Sequence, residues 1–207
     1  FTDMHALADW AASTGLKLIQ LLPVNDTTAT HSWVDSYPYS AVSAFALHPM
    51  YLNMAEVAGK KDAAIVKAYA KKQKELNALP AVDYDAVMHA KWAMIRQLFT
   101  AQKEVFEKDA AWKTYFDQNK HWLLPYAAFC FLRDQNHSPE FSSWPQHNTY
   151  DAKAIEKLCT PGSKHYDEIA LHYFVQWHLH RQLSAATAHA HKLGIAVKGD
   201  IPIGIYR

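Results

Sequence analysis

Hydrophobic positions along the chain follow three patterns. Residues 16–22 form a mainly apolar run between Gly15 and Pro23, which is typical of a fully buried parallel strand. An amphipathic stretch before it, residues 2–14, predicts a helix that ends at Gly15. Residues 195–201 repeat the apolar run, so the sequence predicts a second parallel strand near the end of the chain.

Helical spacing dominates between the two predicted strands. Apolar side chains recur three or four positions apart at Met88, Trp92, Ile95 and Phe99, which predicts a helix with a core-facing stripe. We expect residues 50–164 to be nearly all helix and residues 165–193 to be one long helix. A right-handed crossover would then join the two parallel strands.

Residues 23–49 break both patterns and predict a long loop. The segment follows the carboxyl end of the first predicted strand and is rich in Asp, Asn, His, Ser, Trp and Tyr. α/β barrels and open α/β sheets build their sites from such loops. The aromatic share suits a ligand with both C–H faces and hydroxyls, and a sugar fits that description.

Charge and cysteine content narrow the class of protein. The chain has 21 basic and 20 acidic residues, a net charge of +1, which argues against nucleic acid or an anionic membrane as partner. No segment reaches the roughly 18 apolar residues that a membrane span needs, and the opening residues do not resemble a signal peptide. We interpret Cys130 and Cys159 as reduced, buried side chains, typical of a cytoplasmic protein.

The motifs argue against several chemistries. The chain has thirteen histidines, but His172, His178 and His180 lack the spacing of a metal site, and neither H-E-x-x-H nor C-x-x-C occurs. G-x-S-x-G is absent, as are the glycine-rich nucleotide motifs. We therefore expect no metal and no organic cofactor.

Polar side chains at the ends of the predicted strands are the candidates for a site. Asn25 and Asp26 follow the first strand, Asp35 lies in the loop, and Asp200 follows the second strand. In a barrel such positions face the site, although an Asx turn explains Asp26 and Asp35 equally well. Asp200 lies between apolar positions that we expect to be buried, where a charge is costly unless it is hydrogen-bonded.

Two strings carry a family resemblance. DSYPYSAVSAFALHP, residues 35–49, resembles the loop after the second barrel strand of glycoside hydrolase family seventy-seven, the 4-α-glucanotransferases. GIAVKGDIPIGIYR, residues 194–207, is similar to the third strand of that family and its G-D-x-P-I motif. Further family-like segments between them are VDYDAV, HWLLPYAAF, SSWP and HYFVQWHLHRQL. The similarity is greater to the maltose-using branch and covers nearly the whole chain.

The resemblance implies an α/β fold, part of a (β/α)8 TIM barrel with about two parallel strands and mainly helical content. Residues 1–49 and 165–207 would be barrel portions, and residues 50–164 a helical insertion. The implied partners are maltose, maltooligosaccharides or longer α-glucans, with no cofactor. Tyr39 matches the family tyrosine that stacks beneath the glucose of the cleaved bond, and Asp200 matches the aspartate that hydrogen-bonds to its hydroxyls. Tyr37 departs from the usual D-S-P-Y-Q-S string and is a further substrate-binding candidate.

The resemblance also implies missing parts. The family supplies its nucleophile and its acid/base from the fourth and fifth strands, so we expect this chain to be an inert piece of a longer enzyme, without catalytic residues of its own. Exposed sheet edges are then expected to drive self-association or to leave residues 203–207 disordered. Two alternatives stay open: an α-glucan hydrolase of a related barrel family, and a non-catalytic helical interaction module.

Overall fold

The computed structural model describes residues 1–205. Within that range the α-helices are α1 (Asp3–Ser13), α2 (Met54–Ala58), α3 (Ala63–Ala68), α4 (Ala70–Asn77), α5 (Tyr84–Lys108), α6 (Ala110–Asn136), α7 (Ala152–Leu158) and α8 (Tyr166–Lys192). The strands are β1 (Leu18–Gln20), β2 (Ser40–Ala41), β3 (Ala196–Lys198) and β4 (Gly204–Ile205). Short 3-10 turns occupy Trp33–Ser36, Pro49–Tyr51 and Phe141–Ser143.

The two predicted strands are neighbours and run parallel. Ile19 of β1 lies opposite Val197 of β3, with one pair of residues on either side. Between them, the described residues 50–164 contain helices and turns but no strand. The parallel pairing and the absence of a further strand there are confirmed, although residues 137–151 contain only a short 3-10 turn. Of the segment that was expected to be disordered, residues 203–205 are placed, and residues 206 and 207 lie outside the described range.

The segment predicted to be a plain loop contains sheet structure. Ser40 of β2 pairs in parallel with Gly204 of β4, and Asn25 forms an isolated antiparallel bridge with Leu47. The prediction missed these pairs because a ladder of one or two residues leaves no period-two pattern in the sequence.

The prediction of fully buried strands is wrong for this chain. Ile19 is buried against α1 and α8, but Leu18 is 51% exposed and Leu22 is 62% exposed. Ile201, beside Asp200, is 77% exposed, so the apolar positions expected to bury that carboxylate do not do so. The reason is that α1 and α8 cover one face of the β1–β3 pair, and no other described element covers the opposite face.

The main hydrophobic core lies in the helical region. Ile95 and Leu98 of α5 are fully buried, as are Ile169 and Phe174 of α8, and α6 packs along both helices. The end of α8 belongs instead to the small core at the strands, through Ala190. The single helix α8 therefore joins both cores, as its length of about 40 Å allows.

Aspartates mark the starts of the long helices. The Asp83 side chain accepts a hydrogen bond from the backbone N of Ala86 at 3.0 Å and so caps α5. Asp109 ends α5 and caps α6 by accepting from the N of Ala111 at 2.7 Å. Because these carboxylates satisfy otherwise free N–H groups, one residue is enough to turn the chain between the two helices.

Three further findings concern residues 1–205. No helix there is both long enough and apolar enough to cross a membrane. The same residues contain no group of three or more His, Cys, Asp or Glu side chains that could hold a metal ion. Cys130 and Cys159 are buried and form no disulfide, and burial raises the pKa of both thiols.

Burial of His172 predicts acid sensitivity. Burial lowers the pKa of this α8 imidazole from 6.5 to about 4, although Asp134 opposes the shift. Between pH 6.5 and 4, His172 is therefore protonated in the unfolded chain but neutral in the native state. The free energy of unfolding falls as the pH falls through that window. The shift corresponds to a loss of about 2 kcal/mol between pH 7 and 4.5.

Urea unfolding at both pH values, compared between wild type and His172→Gln, measures this contribution. The variant should lose about 2 kcal/mol less on acidification, whereas the exposed control His89→Gln should behave as wild type. Identical pH dependence in wild type and His172→Gln would contradict the assignment.

Candidate functional site

Tyr39 and Asp200 meet although 161 residues separate them in the chain. The Tyr39 hydroxyl donates to Oδ2 of Asp200 at 2.9 Å, and this bond to a carboxylate raises the pKa of the Tyr39 phenol. Tyr39 directly precedes β2 and Asp200 lies four residues before β4, so the pairing of β2 with β4 brings the two segments together. The ring of Tyr37 lies 5.7 Å from that of Tyr39 and is 59% exposed. These three residues form one polar and aromatic surface, here called the Tyr–Asp surface.

Asp35 lies away from this surface, inside its own loop. It is 4% exposed, and its carboxylate accepts hydrogen bonds from the backbone N and the hydroxyl of Thr30, at 3.0–3.1 Å. Its backbone carbonyl also accepts from the Thr27 hydroxyl. This geometry favours the turn-forming interpretation of Asp35.

Asp26 is buried as well, and it connects the loop to α6. One carboxylate oxygen accepts from the backbone N of Thr28 at 2.9 Å, and the other accepts from the Tyr126 hydroxyl at 2.7 Å. Burial and the neighbouring charge of Asp26 raise the pKa of Tyr126 well above its usual range. Asn25 contributes through its backbone bridge to Leu47. Asp26 thus supports the loop through its buried side chain, and Asn25 through its backbone.

Two glutamines of α8 bind the loop backbone in the same way. Gln176 accepts from the N of Leu47 and donates to its carbonyl, both at 2.8 Å. Six residues later, Gln182 bonds to the N and the carbonyl of Asn53 at 2.8 and 3.0 Å. Each amide takes the place of a strand partner for one loop residue. Sequence reasoning missed both, although each is a polar position on the apolar face of the string YFVQWHLHRQL.

The buried guanidinium of Arg133, on α6, contacts the backbone of the loop. Arg133 is 2% exposed, and its guanidinium donates to the carbonyl of Thr28 and, at 2.8 Å, to the carboxylate of Asp134. His31 contacts the same carboxylate at 2.7 Å. Burial by itself would raise the pKa of Asp134, but the His31 hydrogen bond and the Arg133 charge hold it well below its usual range.

Side chains of α5 hold the far end of the loop. His48 accepts from the N of Met50 through Nδ1, so its Nε2 carries the hydrogen and donates to the Tyr84 hydroxyl at 3.0 Å. The Lys91 ammonium donates to the carbonyls of Met50 and, at 2.8 Å, Leu52. Burial lowers the pKa of Lys91 to about 8. A cavity of about 620 Å³ beside Lys91 has no lining residue in common with the Tyr–Asp surface.

Of the three candidate aspartates in the described residues, one has a carboxylate at the Tyr–Asp surface. Retaining glycosyl transfer needs two carboxyl groups about 5–5.5 Å apart. Among the candidates in residues 1–205, Asp26 and Asp35 are buried and hydrogen-bonded, which leaves Asp200 as the carboxylate of the surface. Fold and site thus define an α/β protein with an aromatic, partly exposed loop that follows one strand of a parallel pair.

Comparison with known proteins identifies the family. The profile described as 4-alpha-glucanotransferase, Glyco_hydro_77, matches residues 1–207, so the chain belongs to glycoside hydrolase family 77. It is 40% identical over 207 residues to the 4-alpha-glucanotransferase DPE2 of Oryza sativa subsp. japonica. It is 28% identical over 204 residues to the 4-alpha-glucanotransferase of Chlamydia pneumoniae. The first match spans all of this chain but 22% of the rice protein. The second spans 98% of this chain but 37% of the chlamydial protein.

Solved structures agree on the fold. An amylomaltase from Streptococcus agalactiae in complex with acarbose superposes with a TM-score of 0.71 at 18% identity, covering 98% of this chain and 39% of that one. An amylomaltase from Corynebacterium glutamicum gives 0.68 at 17% identity, covering 98% and 27%. The chain therefore has the fold of one segment of these larger proteins.

Removing the Gln176 amide should destabilise the loop. In Gln176→Leu, the part-buried N and carbonyl of Leu47 lose their partners. An unsatisfied group that is fully buried costs about 1–3 kcal/mol, and partial access to water lowers that cost. We expect the free energy of unfolding to fall by about 1–3 kcal/mol, and the amide of Leu47 to exchange with solvent faster. Gln118→Leu, on the exposed side of α6, is the control. Unchanged exchange at Leu47 would show that the pair contributes little.

Proposed function

We propose that this chain supplies part of the donor-side sugar site of a retaining 4-α-glucanotransferase. Its substrates are maltose, maltooligosaccharides or longer α-1,4-glucans. The observation that carries the proposal is the Tyr39–Asp200 contact. The match of the family profile to residues 1–207 also supports it. A stacking ring beside a fixed carboxylate suits a sugar, since one takes up C–H faces and the other takes up hydroxyls.

In this proposal Asp200 accepts hydrogen bonds from hydroxyls of the glucose at the cleaved bond. Its Oδ2 already accepts from Tyr39 and its Oδ1 from the N of Ile201 at 3.0 Å. Each carboxylate oxygen can accept a second donor, so the two bonds orient Asp200 while leaving room for substrate. The Tyr39 ring stacks on the same glucose, and Tyr37 extends the aromatic surface.

Asn25, Asp26 and Asp35 act through the loop in this proposal. Burial of both carboxylates and their bonds to Tyr126 and Thr30 support that role. Direct substrate contact would require these buried side chains to give up partners, which costs about 1–3 kcal/mol for each bond lost.

The reaction needs groups outside these 207 residues. A carboxylate nucleophile displaces the glycosidic oxygen while an acid protonates the leaving glucan, which gives a covalent glycosyl-enzyme. The 4-hydroxyl of a second glucan then loses its proton to the same acid/base group and attacks the sugar. β1 and β3 would be neighbouring strands of a (β/α)8 barrel in the cytoplasm, with residues 50–164 as its insertion. The exposed edges of these strands would pair with further strands or with another copy.

We expect the 207-residue chain to be inactive, because the proposal places the acid and the nucleophile outside it. We expect neither glucose release nor glucan transfer from maltose or maltotriose, measured by product chromatography. Sustained release of glucose by a homogeneous preparation would contradict the placement of the catalytic carboxylates outside the chain.

In the full-length enzyme, Asp200→Asn should lower kcat/KM for maltose. Loss of a preorganised polar contact costs about 2–4 kcal/mol of transition-state stabilisation, or about thirtyfold to a thousandfold in rate. The melting temperature should change little, since Asp200 is half-buried and the amide keeps its shape. Asp85→Asn, an exposed position at the start of α5, should keep wild-type activity. Normal turnover with a lower melting temperature would make Asp200 a structural residue.

A further inference from the structure

Gly204 lies against the backbone of the Tyr39 segment. Four residues after Asp200 the chain forms β4, and Gly204 pairs there with Ser40. A Cβ added to Gly204 would overlap the carbonyl oxygen of Tyr39 and would lie 3.2 Å from its carbonyl carbon and 3.8 Å from the Cα of Ser40. All of these are backbone atoms, so no side-chain rotation can relieve the overlap.

Glycine is required at position 204 because a Cβ has no room there, and not because of the backbone conformation. Gly204 has no positive φ, unlike Gly15 or Gly194, which have φ values of +80° and +72°. Gly199 provides a contrast in the same segment, because it also has no positive φ and a Cβ there would meet nothing within 4 Å. The two residues differ in the closeness of the Tyr39 backbone.

We propose that Gly204 is a positioning residue that sets the separation between the Tyr39 segment and the Asp200 segment. The segments are joined at two points, by the Ser40–Gly204 backbone pairing and by the hydrogen bond of 2.9 Å from Tyr39 to Asp200. A larger residue at the first point forces the segments apart. The second point then opens beyond the distance at which a hydrogen bond holds, about 3.5 Å. The meaning of this for catalysis rests on the proposed function, but the geometry does not.

The test is NMR titration of Tyr39 in the 207-residue chain with 13C-labelled tyrosine. Asp200→Asn removes the charge and gives the reference value for a Tyr39 without its carboxylate partner. We expect Gly204→Ala to bring the Tyr39 pKa down to that reference, and Gly199→Ala to leave it raised. A Gly204→Ala chain that titrates as wild type would overturn the proposal, as would an Asp200→Asn chain that does so.

Folding is checked on the same samples. Amide resonances of α5 and α6 should be unchanged in Gly204→Ala, since its overlap is confined to Tyr39 and Ser40. Loss of those resonances would make Gly204 a residue of general stability and overturn the positioning role.

Kinetics of the full-length enzyme separate the two proposals. Gly204→Ala should lower kcat/KM for maltose about tenfold to a hundredfold, since a displacement of about 1 Å at a reacting group has effects of that size. It should add little in the Asp200→Asn background, because both changes break one contact. Full activity of Asp200→Asn would reject the proposed function while leaving the NMR result valid. Full activity of Gly204→Ala alone would reject the positioning role.

Discussion

Buried polar side chains that replace strand partners are the constraint on which the loop depends. A loop that lies against a protein interior must satisfy its backbone N–H and carbonyl groups, because each unpaired group costs about 1–3 kcal/mol. Gln176 and Gln182 meet that need for Leu47 and Asn53, with one amide for each backbone pair. These side-chain bonds add to the short β2–β4 pairing and the Asn25–Leu47 bridge, which are the sheet structure of the segment.

The helical region is consequently part of the site's support. Tyr126 and Arg133 of α6 hold the start of the loop through Asp26 and Thr28, and α8 holds the loop near its end through Gln176 and Leu47. The two α6 contacts are between buried groups, where a hydrogen bond is strong and its loss is costly. A chain with two three-residue strands in its main parallel pair can keep an ordered loop because three long helices contribute to it.

The sequence predicted what depends on local pattern and missed what depends on neighbours. The parallel pair of β1 and β3 followed from two apolar runs joined by helical spacing. Their exposure did not, because burial is decided by which elements cover the sheet, as Leu18 and Leu22 show. The role of Gln176 was not predicted, because a polar residue within an apolar stripe does not indicate which group it will bond to. Tyr39 and Asp200 were paired through the family motif alone, since 161 intervening residues carry no local signal.

The three candidate aspartates differ in burial and in their hydrogen-bond partners. The carboxylates of Asp26 and Asp35 accept hydrogen bonds from groups of the loop, and solvent hardly reaches them. Asp200 is held by two donors and stays half-exposed. A group that must bind hydroxyls needs both orientation and free lone pairs, and a residue in the core would have the first without the second. The donor that orients Asp200 is Tyr39 itself. In the proposed site, stacking on a sugar and hydrogen bonding to it would therefore depend on one contact, and a change in the separation of β2 and β4 would affect both.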